Sequence, residues 1–168
     1  LYAMGIAPAT QARILSGVKA FFRFLLLQNI ISVEPTEIIH APKSGRKLPS
    51  VLSYEEINQL FLAIDHSKPE GLRNRAMLEI LYSSGLRVSE LTTLKINHLY
   101  LDIGFLKVLG KGKKERYVPI GQAAIKQLQI YLDNVRKQAN IAIGEDAFVF
   151  LNRRGKHLSR VMVFMIVK

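Results

Sequence analysis

The sequence contains no cysteine. That removes a disulfide framework, a thiolate metal site and a cysteine nucleophile, and it fits a reducing compartment. Acidic residues are also scarce, 13 Asp and Glu against 24 Lys and Arg, and they form no cluster that could hold Mg²⁺. Metal-dependent nuclease chemistry is therefore not expected. The zinc-hydrolase pattern HExxH and the nucleophile elbow GxSxG are both missing, which sets aside two large groups of hydrolases. No apolar run approaches the length of a membrane span. The longest, Val161 to Val167, is far too short, and the N-terminus lacks the order of a signal peptide. A cytoplasmic protein with no membrane partner is expected.

What is present is positive charge on a folded composition. The 168 residues carry a formal net charge of +11 and are 49% hydrophobic, enough apolar content for a packed core. A surface of this sign concentrates polyanions, so nucleic acid is the leading partner class.

Hydrophobic spacing divides the chain. From Thr10, read as an N-cap with Pro8 just outside, residues Ile14, Val18, Phe21, Phe22 and Leu25 recur at helical period. Lys19 and Arg23 stand one turn apart on the other side of this helix and are candidate phosphate contacts. A short helical turn is expected around Glu34 to Ile39. The following HAPKSGRKLPS mixes Pro, Gly and Ser with basic groups and offers little to bury, so residues 42–50 read as a linker, with Lys43, Arg46 and Lys47 as further DNA contacts.

After the linker, LSYEEI contains a capping box, Ser53 with Glu56, and a staple pair, Leu52 with Ile57. A helix begins there. A second runs through Met77, Ile80 and Leu81 to Gly85, which suits a left-handed C-terminal residue, and Val88 to Leu94 give a short third. From Asn97 the pattern turns to short alternating runs, HLYLD, FLKVL and ERYVPI, which predict a three-stranded antiparallel meander. Ile125, Leu128, Leu132 and Val135 mark another helix, AFVFL a short buried strand, and RRGKHLSR a basic turn into a last apolar helix. The fold class is α+β, mostly helical, in two unequal domains joined near residues 40–50.

Two segments carry chemistry. YSSGLRVSELTTL contains G-L-R-x-S-E-L, and LGKGKKERYVPI contains G-K-G-x-K-x-R-x-V-P. The second is not a P-loop, because it lacks the Gly-Lys-Ser/Thr ending and leads into a strand. In this order, with these elements between them, the two boxes resemble the arginine box and β-hairpin of tyrosine recombinases, the phage integrase family. The preceding PK…LP and LSYEE extend the likeness to the Xer type over nearly the whole chain.

The resemblance implies a cofactor-free reaction in which a tyrosine attacks a DNA phosphodiester, forms a 3′-phosphotyrosyl link and releases a 5′-hydroxyl. On it, Arg87 would stabilise charge on the non-bridging oxygens, Lys111 would protonate the leaving oxygen, and Glu90, three residues beyond Arg87, would orient it. Lys113, Lys114 and Arg116 on the hairpin would contact DNA. The domains implied are the end of a helical DNA-clamping domain (residues 1–41) and the first part of a catalytic domain (51–168).

Both ends read as cut, so the nucleophile and the later family boxes are expected downstream. His157-Leu158-Ser159-Arg160 spells the family's H-x-x-R but comes too soon after the hairpin and is followed by Val161 where a His is expected, so it is set aside. Tyr82 and Tyr131 fall on apolar helix faces and are expected in the core. The implied partners are double-stranded DNA, further copies in a homotetramer or a heterotetramer with a related recombinase, and a septal DNA translocase. The implied role is chromosome-dimer resolution. An integrase of a mobile element, a non-catalytic DNA-binding relative and a type IB topoisomerase are the alternatives.

Overall fold

A computed structural model describes residues 5–42, 50–110, 112 and 114–168. It divides the chain into two compact units, Leu1–Val51 and Leu52–Lys168. The linker residues Lys43, Arg46 and Lys47, and the hairpin residues Lys111 and Lys113, lie outside the described residues.

The first unit is built on α1 (Pro8–Leu27). Its N-cap is Ala7, three residues before the expected Thr10, and Pro8 takes the first helical position. Proline suits that position because the N–H it lacks would have no intrahelical acceptor and its φ is already helical. The helical turn expected around Glu34 to Ile39 is instead a pair of tight turns, closed by Glu37 N–H to Glu34 O and Ile39 N–H to Thr36 O. Thr36 Oγ1 donates to Glu34 Oε1 at 2.9 Å, a local bond between side chains.

The second unit opens with α2 (Tyr54–Leu62), where Ser53 and Glu56 form the full capping box. Next comes α3 (Pro69–Ser84), which buries Ala76, Met77, Leu78 and Ile80. Gly85 ends it at φ 58°, ψ 33°, a left-handed conformation that costs glycine little. Then follow α4 (Val88–Thr92), β1 (Leu99–Tyr100), β2 (Phe105–Leu109), β3 (Glu115–Pro119), α5 (Gln122–Asn134) and α6 (Arg160–Val167). The strands form the expected antiparallel meander in the order β1-β2-β3, with Leu106 opposite Val118 and Val108 opposite Arg116. One core joins these elements: Met77 and Ile80 of α3, Leu106 and Val108 of β2, Ile125 and Leu128 of α5, and Val163 of α6.

Two further expectations need correction. AFVFL is no strand; it makes only isolated bridges, Lys95 with Phe148 and Leu151 with His157. Its backbone is satisfied largely from other sources. Val149 N–H donates to Leu94 O, the Tyr131 hydroxyl donates to Val149 O, and Arg136 and Arg73 donate to Phe148 O and Leu151 O. With its polar groups bonded in this way, the buried segment needs no ladder. Tyr82 is no core residue either, being 51% exposed with only its ring edge near Phe61. It lies near the C-terminal end of α3, where the helix runs out of cover. Tyr131, by contrast, is fully buried and stacked on Phe150.

Candidate active site

The site is built on the elbow between α3 and α4. Gly85 stops α3, Leu86 turns into the core, and Arg87, the N-cap of α4, points out. Its side chain is 70% exposed, held by one hydrogen bond from a terminal nitrogen to Glu90 Oε1 at 3.1 Å. One turn into α4, the Glu90 carboxylate is almost wholly buried. Oε2 accepts the Arg87 backbone N–H at 2.9 Å, fixing the elbow as well as the side chain.

The other two partners of Glu90 come from the hairpin. Arg116 of β3 donates from both terminal nitrogens, at 2.7 Å to Oε1 and 2.9 Å to Oε2. The carboxylate thus accepts four hydrogen bonds, which fills the capacity of an ionised carboxyl group. These contacts, led by the Arg116 bonds, hold its pKa down at about 2 against burial, which pushes the other way.

Beneath this pair the hairpin closes on itself, with Gly110 N–H donating to Lys114 O at 2.8 Å. A Cβ on Gly110 would lie 3.1 Å from an Arg116 terminal nitrogen and 3.4 Å from Lys114 O, so glycine leaves the guanidinium its path. Along the hairpin Lys107 pairs with Glu115 at 2.8 Å.

The expected residues fall into separate groups. Arg87, Glu90 and Arg116 come together, and Lys114 sits at the mouth of the same hairpin; Lys111, between β2 and β3 in the sequence, lies outside the described residues. Arg116, expected as a DNA contact, turns its guanidinium to Glu90. In the first unit Arg23 lies 3.7 Å from Glu34, and Lys19 reaches the Glu37 carbonyl at 3.5 Å. The H-x-x-R segment has a local part in the fold. His157 stacks on Phe148 and shares a 2.7 Å hydrogen bond with Glu145, Leu158 is buried, and Ser159 caps α6.

The inward turn of Arg116 has a sequence signal that the charge reading passed over. In a strand, alternate residues share a face, so Arg116 belongs with Val118, opposite the buried Val108 and Leu106 of β2. A charge on that face calls for a buried partner.

Residues 50–168 match the family model described as "Phage integrase family". The chain belongs to the phage integrase family. Within that family, a tyrosine recombinase XerD of Chlorobaculum tepidum is 43% identical over 100% of this chain and 56% of its own length. A XerD of Listeria innocua is 40% identical, covering 98% and 55%. The chain therefore spans little more than half the length of these curated relatives. Among solved structures, the XerH site-specific recombinase in a post-cleavage complex with palindromic difH substrate is 26% identical with a TM-score of 0.71, covering 95% of this chain and 46% of that one. The resemblance drawn from G-L-R-x-S-E-L and the hairpin box is thus to the right family, and the mostly helical α+β fold with its small sheet is that of its members.

Proposed function

We propose that the protein containing these residues is a site-specific DNA recombinase that cleaves and rejoins strands through a tyrosine. The observation that carries this is the pairing of a solvent-facing Arg87, held by a fully bonded carboxylate, with the hairpin that bears Lys111. An exposed guanidinium of fixed orientation suits the non-bridging oxygens of a phosphodiester. Its positive charge stabilises what develops as the tyrosine oxygen bonds to phosphorus and the P–O5′ bond breaks. Lys111 supplies the proton that the departing 5′-oxygen takes up.

The attacking tyrosine lies outside these residues in this reading. Tyr131, the most buried candidate, has its hydroxyl committed to Val149 O and the Leu151 N–H. Lys19, Arg23, Lys43, Arg46, Lys47, Lys113 and Lys114 contact the duplex backbone, contributing position and salt-dependent affinity without base identity. XerD relatives at about 40% identity favour chromosome-dimer resolution in the cytoplasm over mobile-element integration. The working form is a tetramer on DNA, with or without a related recombinase, and a septal DNA translocase is a further partner.

The test is single-turnover cleavage by the full-length protein on substrates with a 5′-oxygen or a 5′-sulfur leaving group. Lys111→Ala should slow the oxygen substrate by ~10²–10⁴-fold and the sulfur substrate far less, since a thiolate departs unprotonated. Equal slowing of both would remove the general-acid role, and no cleavage by the unmodified protein would remove the function.

A further inference from the structure

We propose that Arg116 is a positioning residue for this reaction: by clamping Glu90 it ties the β2–β3 hairpin, which carries Lys111, to the elbow that carries Arg87. The inference rests on the recombinase reading above, but the clamp itself can be tested without it.

Three observations point the same way. Arg116 fills half of the acceptor capacity of Glu90, and Glu90 holds both the backbone and the side chain of Arg87. Arg116 and Arg87 even share one oxygen, Oε1, at 2.7 and 3.1 Å. Second, the clamp lies where the chain leaves β2 for the segment that contains Lys111. Gly110, which precedes Lys111, closes the turn on Lys114 O, and a Cβ there would come within 3.1 Å of the Arg116 guanidinium. Third, the charge of Arg116 is already matched by a buried carboxylate, so it adds little to the field that draws a phosphate. A guanidinium bonded by both terminal nitrogens to a buried acid is placed to hold two elements in register. In the reading above Arg87 holds the non-bridging oxygens and Lys111 protonates the leaving oxygen of the same phosphodiester, so their spacing is what such a clamp would set. A misplacement on the order of 1 Å at a reacting centre can cost about 10²-fold in rate.

The experiment combines cleavage, binding and exchange in Arg116→Gln and Arg116→Lys. In the full-length protein, Arg116→Gln should slow single-turnover cleavage by about 10²-fold, while the dissociation constant for duplex DNA and its salt dependence stay as they were. Arg116→Lys, which keeps the charge and one of the bonds, should recover part of the rate. A 5′-sulfur leaving group should restore at least about tenfold to Arg116→Gln, because the misplaced group is the proton donor. In the 168-residue chain, amide exchange at Gly110 should quicken in Arg116→Gln and less so in Arg116→Lys. A salt slope flattened by about 0.9 with unchanged cleavage of bound DNA would make Arg116 a phosphate contact and overturn the proposal. So would a slowed reaction without sulfur rescue, or an unaltered Gly110 exchange rate. If the unmodified full-length protein fails to cleave DNA, the recombinase reading falls, and Gly110 exchange still decides the clamp.

Discussion

Arg73 and Arg87 lie on either side of the turn that ends α3, and they are used in opposite ways. Arg73 is 7% exposed; one terminal nitrogen donates to Leu151 O at 3.0 Å, and its other two nitrogens share Asn74 Oδ1. It is a strut, closing the backbone account of the buried segment that β-pairing leaves unfilled. Burial also lowers its pKa from the usual arginine value, a cost borne because the carbonyl it serves would otherwise be unpaired. Arg87 makes one side-chain bond to a residue that is itself saturated, and turns the rest of its fork to solvent. The same side chain is structural where its donors are consumed inside the fold, and available for chemistry where the fold consumes only enough of them to aim it.

The sharpest way to break that contrast is to delete each fork in turn. Arg87→Ala in the full-length protein should cut single-turnover DNA cleavage by about 10²–10³-fold, the range for removing one preorganised donor to a developing charge. Duplex affinity and melting temperature should hardly move. A large loss of thermal stability would mean that Arg87, too, is a strut.

Acid should release the site that aims Arg87. Glu90 is held near pKa 2 in the fold against an ordinary value of 4.5. Because the folded value is the lower one, its stabilisation is complete above 4.5 and is lost as the pH falls from there toward 2. A shift of this size is worth about 3 kcal/mol. Denaturant unfolding of the 168-residue chain between pH 6 and 2 should show that loss, and Glu90→Gln, already neutral, should show a correspondingly shallower slope. Parallel pH profiles for the two proteins would remove the carboxylate from the account.

The smallest expected effect is that of Arg73→Ala, which should lower the unfolding free energy by about 1–3 kcal/mol, the cost of leaving buried polar partners unsatisfied. DNA cleavage per folded molecule should be unchanged. A selective loss of cleavage with full stability would erase the distinction between the two arginines.

Local chemistry made much of the fold legible beforehand. The Ser53–Glu56 capping box, the left-handed Gly85 and the alternation of FLKVL and ERYVP each work through neighbours a few residues apart, and each stands in the structure. The helix cap at Thr10 and the turn at Glu34 to Ile39 failed on local grounds, but the two larger errors depended on distant partners. Whether AFVFL pairs as a strand turns on the side chains of Arg73, Tyr131 and Arg136, and the exposure of Tyr82 turns on which elements pass over the end of α3.

The candidate site divides in the same way. The spacing of Arg87 and Glu90 is a property of one helical turn, so the sequence by itself determined that these two would meet, and the two motif boxes together determined the family. Which of the 24 Lys and Arg residues would be struts and which would face solvent was decided only by the tertiary structure. Arg116 reaches Glu90 across 26 positions of chain because β3 folds back beside β2 and Gly110 leaves the guanidinium room. A charged side chain takes its role from the buried partner that claims it, and that partner is fixed by packing.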